Sequence, residues 1–440
     1  MNKPQFHFSP NKGWINDPNG LVFSNGKYHM FYQYYPEGLV WGPMHWGHTV
    51  SKDLLEWEEL DIALYPDDLG MIFSGSAVKN KDSLIAFYTN HREEKGKQIQ
   101  VQSMAVSKNE GVSWEKNISN PILEDTDEID FRDPKVFFDS DSNSWIMILA
   151  AGNKANLYSS KDLMDWKLEQ KFISNNIEKG IWECPDLFKV YNKEKEKAIW
   201  ILKVDIVTED KESNTYCFHG KFENKKFIEF LDDSPQKIDS GRDFYACQTW
   251  NNSPDERKIW IGWMSDWKYA RNIPATDSRG FMTLPRELYY KECENKNILC
   301  QKPIHEFYLN LIDIKNDVGN YIQLNEIQNN DFNLILSNKF NEKIELEYSS
   351  KNKFFTLKRL NSGAVDFEES FKNDNKVLLL NNLNTMEIIL DETSVEIFLN
   401  DGEEVLTSLI FPREKYHKVE ILGINNQNLM SNLVLKKYIK

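Results

Sequence analysis

"SKDLLEW", at residues 51–57, returns almost unchanged as "SKDLMDW" at residues 160–166. A looser copy, "SKNEGVSW", lies between them at residues 107–114. The looser copy begins 56 residues after the first and the closer copy begins 109 residues after it, which is nearly a doubled period. Repeats of about 40–60 residues that each supply a few short strands are typical of propeller blades. The alternative is that a common strand–turn composition has recurred by coincidence.

Short apolar, aromatic or β-branched runs bounded by turn residues predict strands along the whole chain. They include "KYHMFYQYY" (27–35), "SLIAFYTN" (83–90), "SWIMILAAG" (144–152), "KIWIGWM" (258–264), "FNLILS" (332–337) and "SVEIFLN" (394–400). Few stretches carry a helical period over ten residues or more. The sequence therefore predicts an all-β fold, and about 290 residues at the spacing of the echo predict five blades.

A change in composition divides the chain. All thirteen Trp residues lie between Trp14 and Trp267, and sixteen of the twenty Gly residues lie before Gly319. The rear third is instead rich in Asn, Lys, Ile and Leu. We therefore predict a catalytic propeller over 1–295, a linker over 296–309 that contains "CQKPIHEF", and a second domain over 310–440.

The net charge of −15 argues against nucleic-acid and anionic-membrane partners, since phosphates would be repelled. No apolar run approaches the roughly 18–20 residues of a membrane span, and "MNKPQFHFSP" at the start lacks a signal-peptide core. We expect a cytoplasmic protein, although a secreted form trimmed of its signal would look the same. The oligomeric state is not indicated by the sequence.

The sequence predicts no metal and no cofactor. Five Cys residues without a CxxC pair argue against a disulfide framework or a zinc site. His45 and His48, in "MHWGH", have no third ligand nearby in the sequence and are expected to pack and to form hydrogen bonds.

Three acids stand in strongly patterned surroundings. "GWINDPNG" (13–20) is a turn-like stretch that contains Asp17, and the only other Asp-Pro pair places Asp133 in "FRDP". A residue before Pro is pushed toward an extended backbone, so each pair would hold an Asp side chain at a strand end. Glu183 lies in "WECPD". In a propeller, strand ends near the axis converge on one pit, so three blades could bring these acids together.

Two carboxyl groups of opposite protonation are what glycoside hydrolysis needs. One ionised Asp attacks the anomeric carbon, and one protonated Glu donates to the leaving oxygen and later deprotonates water. Arg132 is expected to keep Asp133 charged through a bidentate contact. Trp182 and Cys184 are expected to lessen the hydration of Glu183 and to raise its pKa. Taken alone, Asp17 would be an ordinary turn residue, Asp133 a structural partner of Arg132, and Glu183 an ordinary acid.

The chain resembles the glycoside hydrolase family that holds invertases, levanases and exo-inulinases, family 32. "WINDPNG", "FRDP" and "WECPD" resemble its three signature blocks, and further agreement comes from "FYQYYPEGLVWGPMHWGH" (31–48), "IFSGSAV" (72–78), "DFYACQTW" (243–250) and "MTLPREL" (282–288). "DETSVEIFLNDGEEVLTSLIFP" (391–412) resembles its C-terminal module. The resemblance covers nearly the whole chain. It implies a five-bladed β-propeller followed by a β-sandwich at 310–440.

The resemblance also implies roles for single residues. Asp17 would be the nucleophile, Asp133 the stabiliser of the transition state and Glu183 the acid/base. The sugar would be bound by Trp14, Asn16, Gln33, Trp41, Phe73, Ser74, Arg132 and Trp267. The implied activity is that of a retaining, exo-acting β-fructofuranosidase on a carbohydrate substrate.

The preferred fructoside remains open at this stage. The blocks are more similar to those of levanases and exo-inulinases. Two features differ from many of these relatives: the loop after "SGSAV" is short, and Ser278 occupies a position where many relatives have a Trp. Sucrose, fructo-oligosaccharides and fructan stay possible, as do two alternatives, a sucrose-6-phosphate hydrolase and a fructosyltransferase with the same acids. The missing secretion signal argues against a polymer as the natural substrate.

Overall fold

A computed structural model describes residues 3–293, 296–315, 317–328, 330–423 and 426–439. Its first 303 residues form five antiparallel sheets, numbered I to V in chain order. Sheet I has the strands Gly13–Ser24, Lys27–Tyr35, His45–Ser51 and Glu58–Leu64, and sheet II has Met71–Asn80, Ser83–Glu94, Lys97–Ser107 and Glu115–Lys116. Sheet III has Phe131–Asp139, Ser144–Ala151, Ala155–Ser160 and Lys167–Phe172, and sheet IV has Ile181–Tyr191, Ala198–Val207, Ser213–Glu223, Lys226–Glu229 and Gln236–Lys237. Sheet V has Tyr245–Thr249, Ile259–Trp263, Arg286–Cys293 and Lys296–Pro303.

These sheets belong to a propeller domain. The first strand of each sheet contacts the first strand of the next, and the first strand of sheet V contacts that of sheet I, which closes the ring. A further strand, Ser278–Arg279, pairs in parallel with Gly13–Ser24 and so ties the end of the propeller to its beginning. Most residues of these first strands are buried, as expected for strands around an axis.

The sequence echo is one turn used three times. Each copy connects the third strand of its sheet to the fourth, in sheets I, II and III. In the two closest copies the Ser hydroxyl accepts a hydrogen bond from a backbone amide three residues on, from Leu54 to Ser51 at 2.8 Å and from Leu163 to Ser160 at 2.9 Å. Both Leu residues have a positive φ, +67° and +71°. The repeat interpretation of the echo is therefore the correct one.

The rear domain is a β-sandwich of two antiparallel sheets. In spatial order, sheet VI has Leu311–Asp313, Leu433–Tyr438, Tyr321–Leu324, Met386–Leu390, Ser394–Leu399 and Glu404–Leu409, and sheet VII has Asn375–Leu378, Phe354–Lys358, Lys343–Ser349, Phe332–Ser337 and Lys418–Gly423. Lys343–Ser349 alternates buried and half-buried residues along its length, as a strand with one face on a core must. The buried faces of the two sheets share one apolar core.

Helix is scarce in this chain. The α-helices are His305–Leu309 and Asn426–Ser431, and the 3₁₀ turns are Pro254–Glu256, Glu369–Lys372 and Asn400–Gly402. No helix within the described ranges is both long and apolar enough to cross a membrane.

The segment predicted as a linker, 296–309, is ordered secondary structure. Lys296–Pro303 is the outer strand of sheet V, paired with Arg286–Cys293 over its whole length, and His305–Leu309 is a helical turn. The prediction of a linker there was wrong because the Trp and Gly content falls before the last propeller strand, and not after it.

The two domains share a buried interface with charged groups at its centre. Arg286 of the propeller donates to Glu396 of the sandwich at 2.5 Å, and Arg359 of the sandwich donates to Asp243 of the propeller at 2.6 Å. Both arginines are fully buried. His7 lies between Glu396 and a second sandwich acid, and these hydrogen bonds raise the pKa of His7 to about 9 although burial opposes the change. The sandwich therefore completes the charge pairing of the propeller.

Deleting residues 310–440 should make the propeller aggregate or unfold. The deletion removes Glu396 from Arg286, which keeps only Asp239, and removes Arg359 from Asp243, and breaking a buried ion pair costs about 3–5 kcal/mol. It also uncovers the apolar surface around Phe6, Phe8 and Phe281. Soluble yield and the midpoint of urea unfolding measure the effect. A truncated protein that stays soluble with an unchanged midpoint would show instead that the sandwich is an independent module.

Candidate active site

Every innermost strand of the propeller carries a β-bulge at the equivalent position. At each bulge two residues oppose a single residue of the second strand, and bulges of this kind redirect side chains. The pairs are Asn16–Asp17 opposite Gln33, Phe73–Ser74 opposite Thr89, Asp133–Pro134 opposite Leu149, Cys184–Pro185 opposite Val204, and Ala246–Cys247 opposite Gly262. All three predicted acids lie in a bulge or directly beside one.

The stretch "GWINDPNG" is therefore a bulged strand, and the prediction of a turn was wrong. Gly13–Ser24 runs through it, and Pro18 lies just after the bulge, where the ladder is already interrupted. The backbone before the second Pro also differs from the prediction, because Asp133 has a φ of +64° and lies in the left-handed region. The bulges override the extended preference of a residue before Pro.

A cavity of about 370 Å³ opens at these bulges. Its wall contains ten of the eleven predicted site residues: Asn16, Asp17, Gln33, Trp41, Phe73, Ser74, Arg132, Asp133, Glu183 and Trp267. It also contains five residues that were not predicted: His91, Gln98, Gln100, Asp130 and Ile181. The three acids thus come together although they are 116 and 50 residues apart in the chain.

Asp17 is surrounded by uncharged donors. Its two carboxylate oxygens accept hydrogen bonds from Ser74 Oγ at 2.6 Å and from Asn16 Nδ2 at 3.0 Å. Burial raises the pKa of Asp17, and the donated hydrogen bonds offset part of that rise because they favour the ionised form. No Lys or Arg of the described residues forms a salt bridge with Asp17.

Asp133 is held by the backbone of the next sheet. Its Oδ2 accepts a hydrogen bond from the amide of Cys184 at 2.8 Å. The predicted bidentate contact with Arg132 does not form, since that guanidinium donates to Asp130 at 2.6 Å and to Glu183 at 2.9 Å. Burial raises the pKa of Asp133 to about 7, and the charge of Arg132 limits the rise.

Replacing Asp133 with Asn should change how stability depends on pH. A buried acid whose pKa rises from 3.8 to about 7 binds more protons in the folded state, so the free energy of unfolding falls as the pH rises from about 4 to 7. Asp133→Asn removes this penalty and keeps an oxygen for the Cys184 amide. Relative to wild type, the variant should gain up to about 4 kcal/mol between pH 4 and pH 8.

Urea unfolding of both proteins at several pH values measures this gain. The exposed Asp141→Asn variant controls for the loss of one negative charge. A constant difference between Asp133→Asn and wild type across the pH range would contradict the prediction.

Glu183 is fixed from two sides. Its Oε1 accepts from Arg132 at 2.9 Å, and its Oε2 accepts from the hydroxyl of Tyr245 at 2.5 Å. Tyr245 was not predicted as a site residue, although it lies in the block "DFYACQTW" that carries part of the family resemblance. Trp182 was expected to lessen the hydration of Glu183, but it is not part of this cavity wall, and its ring packs against Phe172 and Phe218 in the core between sheets III and IV.

Aromatic rings form part of the cavity wall. They are Trp267 and the edge-to-face pair Trp41 and Phe73, whose ring centroids are 6.2 Å apart. Trp14 was predicted to contact the sugar, but it lies behind the wall, where its Nε1 donates to Asn16 at 2.8 Å and its ring stacks on Trp267 at 6.3 Å. Trp14 is only 1% exposed. It positions wall residues and does not itself face the cavity.

Two buried ion pairs lie beside the strands that carry Asp133 and Glu183. Lys203 donates to Asp205 at 2.5 Å and to the carbonyl oxygen of Cys184 at 2.7 Å, and both charged side chains are fully buried. Lys135 and Asp186 form a second buried pair at 3.1 Å. The pair Lys135–Asp186 joins the innermost strands of sheets III and IV, and the Lys203 ammonium fixes the bulge that directly follows Glu183.

Among the described residues no group of three His, Cys, Asp or Glu side chains could hold a metal ion. His48 lies 3.1 Å from His29 and stacks on Phe31, while His45 is bonded to the carbonyl of Pro43. Ser278 lies 3.2 Å from Ser9 on the short closing strand and is not part of the cavity wall.

The cavity brings together carboxyl groups from separate blades, amide donors and flat aromatic rings. These are the groups that the cleavage of a glycosidic bond requires. The fold and the site together define a glycoside hydrolase. Family models agree: "Glycosyl hydrolases family 32 N-terminal domain" matches residues 7–303, and "Glycosyl hydrolases family 32 C terminal" matches residues 310–436. The chain belongs to glycosyl hydrolase family 32.

Relatives and solved structures are similar over nearly the whole chain. A levanase from Bacillus subtilis is 35% identical, with 98% of this chain and 70% of the relative covered. The crystal structure of an exo-inulinase from Aspergillus awamori has a TM-score of 0.88 at 29% identity and covers 100% of this chain and 99% of its own. A β-fructofuranosidase from Schwanniomyces occidentalis, solved with fructosyl-erythritol, has a TM-score of 0.84 at 26% identity and covers 99% and 96%.

Proposed function

We propose that the protein is a retaining, exo-acting β-fructofuranosidase that hydrolyses terminal β-D-fructofuranosyl groups of sucrose, fructo-oligosaccharides or fructan. The observation that carries the proposal is the convergence of Asp17, Asp133 and Glu183 in one cavity. The levanase, exo-inulinase and β-fructofuranosidase relatives supply the sugar class.

The proposed roles follow from the contacts of each acid. Asp17 attacks the anomeric carbon, and the donors Asn16 and Ser74 favour its charged form. Glu183 protonates the leaving oxygen and then activates water, with its position fixed by Arg132 and Tyr245.

Asp133 stabilises the positive charge that develops on the sugar ring. The hydroxyl groups of the sugar form hydrogen bonds with Asn16, Gln33 and Arg132. The apolar faces of the sugar pack on the rings of Trp41, Phe73 and Trp267.

The shape of the cavity supports exo action. We take the five sheets as five blades around one axis, and the buried pair Lys135–Asp186, on the innermost strands of sheets III and IV, closes that axis beyond the acids. A cavity closed at one end admits the end of a chain better than its middle. Inulin should therefore release fructose first, and oligosaccharides of several lengths as first products would overturn exo action.

The charge of the cavity wall favours uncharged fructosides over sucrose 6-phosphate. Among the described wall residues Arg132 is the only Lys or Arg, and it is already paired with Asp130 and Glu183. His91 is neutral at pH 7, because burial lowers its pKa to about 4. No cation of the wall is left for a phosphate group.

The test is sugar release from sucrose, sucrose 6-phosphate, 1-kestose, inulin and levan, compared by kcat/KM. We expect sucrose to exceed its 6-phosphate, and the reverse order would favour the phosphate-specific alternative. Products at high sucrose concentration distinguish a fructosyltransferase, which would form trisaccharides faster than free fructose. The cytoplasmic location stays a prediction, which cell fractionation tests.

A further inference from the structure

Trp267 lies in a loop, whereas most residues of the active-site wall lie on strands. The loop, residues 264–277, follows the second strand of sheet V. It turns at Asp266, whose carbonyl oxygen accepts hydrogen bonds from the amides of Tyr269 at 3.1 Å and Ala270 at 2.9 Å. The contacts that this loop makes with the rest of the protein therefore determine where the Trp267 ring lies.

The Trp267 ring packs on two buried tryptophans of the propeller. Its centroid lies 4.8 Å from that of Trp263 and 6.3 Å from that of Trp14. Trp267 itself is half-buried, since it also borders the active-site cavity. Apolar packing of this kind is not directional. A directional anchor of the loop follows two residues later, at Tyr269.

Tyr269 joins the loop to the sandwich domain. Its hydroxyl donates to Asp243 at 2.7 Å and accepts a hydrogen bond from Nη2 of Arg359 at 3.1 Å. Nη1 of Arg359 also donates to Asp243, at 2.6 Å, so the three side chains form a closed triangle. All three are fully buried, and the guanidinium of Arg359 lies over the ring of Phe371, 3.9 Å from its centroid. A residue of the rear domain therefore holds the loop two positions away from Trp267.

Apolar packing extends this contact to both sides of Trp267. Three residues of the loop and four of the sandwich share one apolar core: Met264, Tyr269, Ile273, Val365, Phe371, Leu409 and Phe411. Met264 precedes Trp267 by three residues, and Tyr269 follows it by two. A binding residue that is held on both sides keeps its place in the site, and a misplacement of about 1 Å can lower a rate by about a hundredfold.

We propose that Arg359 and Tyr269 are positioning residues, through which the sandwich sets the place of Trp267 and thus the fit of the fructosyl ring in the active site. The inference rests on the proposed fructosidase activity, in which the sugar packs on the Trp267 ring. The sandwich then contributes to substrate binding, although none of the described residues of the cavity wall belongs to it. Loss of the Tyr269 hydroxyl leaves the ion pair of Arg359 and Asp243 in place, so positioning can be separated from stability.

Tyr269→Phe removes the bridging hydroxyl and keeps the ring in the apolar core. The KM for sucrose should rise about fivefold while kcat changes less than about twofold, because packing on the sugar contributes alike to the bound substrate and to the transition state. Tyr308→Phe is the matched control. The Tyr308 hydroxyl also donates to the sandwich, to Glu387 at 2.6 Å, but Tyr308 is not part of the active-site wall, so its KM should stay at the wild-type value.

Arg359→Lys tests the sandwich side of the contact. It keeps a positive charge beside Asp243 but offers one nitrogen in place of the two that reach Asp243 and Tyr269. It should raise KM as Tyr269→Phe does. Urea-unfolding midpoints show that each variant is folded under the conditions of the assay.

A double-mutant cycle with Trp267→Ala shows whether the effect passes through Trp267. On the Trp267→Ala background, Tyr269→Phe should leave KM unchanged, since the ring that it positions is gone. A further rise of the same size on that background would contradict the proposal. An unchanged KM for the folded Tyr269→Phe single variant would contradict it as well and leave the fructosidase activity intact. A wild-type protein that releases no fructose from any fructoside would instead overturn the proposed function and, with it, this inference.

Discussion

Asp17→Asn is expected to lower kcat on sucrose by several orders of magnitude. The amide cannot attack the anomeric carbon, so no covalent fructosyl intermediate forms. Its oxygen still accepts from Ser74, and the two side chains have nearly the same shape, so the fold should be unchanged. Initial rates of fructose release give kcat, and the urea-unfolding midpoint shows that the variant is folded.

The exposed Asp61→Asn variant is the control for the loss of one carboxylate, and it should keep wild-type kcat. A folded Asp17→Asn enzyme that retains more than about a tenth of wild-type kcat would show that Asp17 is not the nucleophile, since loss of a covalent nucleophile costs far more.

Glu183→Ala should lose activity in a way that depends on the leaving group. Sugar leaving groups need a proton, so kcat on sucrose should fall by about 10²–10⁴-fold. A nitrophenyl β-fructofuranoside releases a weakly basic phenolate that needs little protonation, so its fructosyl transfer to Asp17 should be largely spared. Burst kinetics of nitrophenolate release isolate that first step.

Asp17→Ala is the matched comparison, because it removes a carboxyl group from the same cavity but should be equally impaired on both substrates. Equal losses of Glu183→Ala on sucrose and on the nitrophenyl substrate would argue against its role as proton donor. The Glu183 variant also leaves Arg132 with Asp130 alone, so its unfolding midpoint must be measured beside wild type.

Sequence periodicity and motif grouping were sufficient to predict the propeller and the meeting of its acids. The echo at residues 51–57 and 160–166 predicts a structural repeat because the same turn, in which a Ser hydroxyl accepts a backbone hydrogen bond, recurs between the third and fourth strands. Such a turn depends on local hydrogen bonds alone, so it leaves a local signature. The sandwich strand Phe332–Ser337 was predictable for a similar reason, since it alternates buried and half-buried residues.

The partners of charged side chains could not be predicted in the same way. Adjacency suggested that Arg132 pairs with Asp133, but neighbours along a strand point in different directions, and Arg132 reaches Glu183 of the next sheet instead. Tyr245 reaches Glu183 from 62 residues away. Contacts between blades depend on where each bulge turns a side chain, and the local sequence does not encode the neighbouring sheet.

Burial decided the remaining errors. Trp14 and Trp182 are large aromatic residues beside the acid motifs, so Trp14 was predicted to contact the sugar and Trp182 to lessen the hydration of Glu183. Both are 1% exposed and pack behind or away from the cavity. The linker at 296–309 was mispredicted because the final strand, Lys296–Pro303, contains none of the Trp or Gly residues that mark the earlier strands.

The central claim is that Asp17 and Glu183 act as nucleophile and acid/base in a double displacement. The stereochemistry of methanolysis tests it most directly, because methanol competes with water for the fructosyl intermediate and the methyl fructoside does not change its anomeric form afterwards. Proton NMR of the product formed from sucrose in aqueous methanol should show methyl β-D-fructofuranoside. Methyl α-D-fructofuranoside as the product would mean a single displacement and would contradict the account.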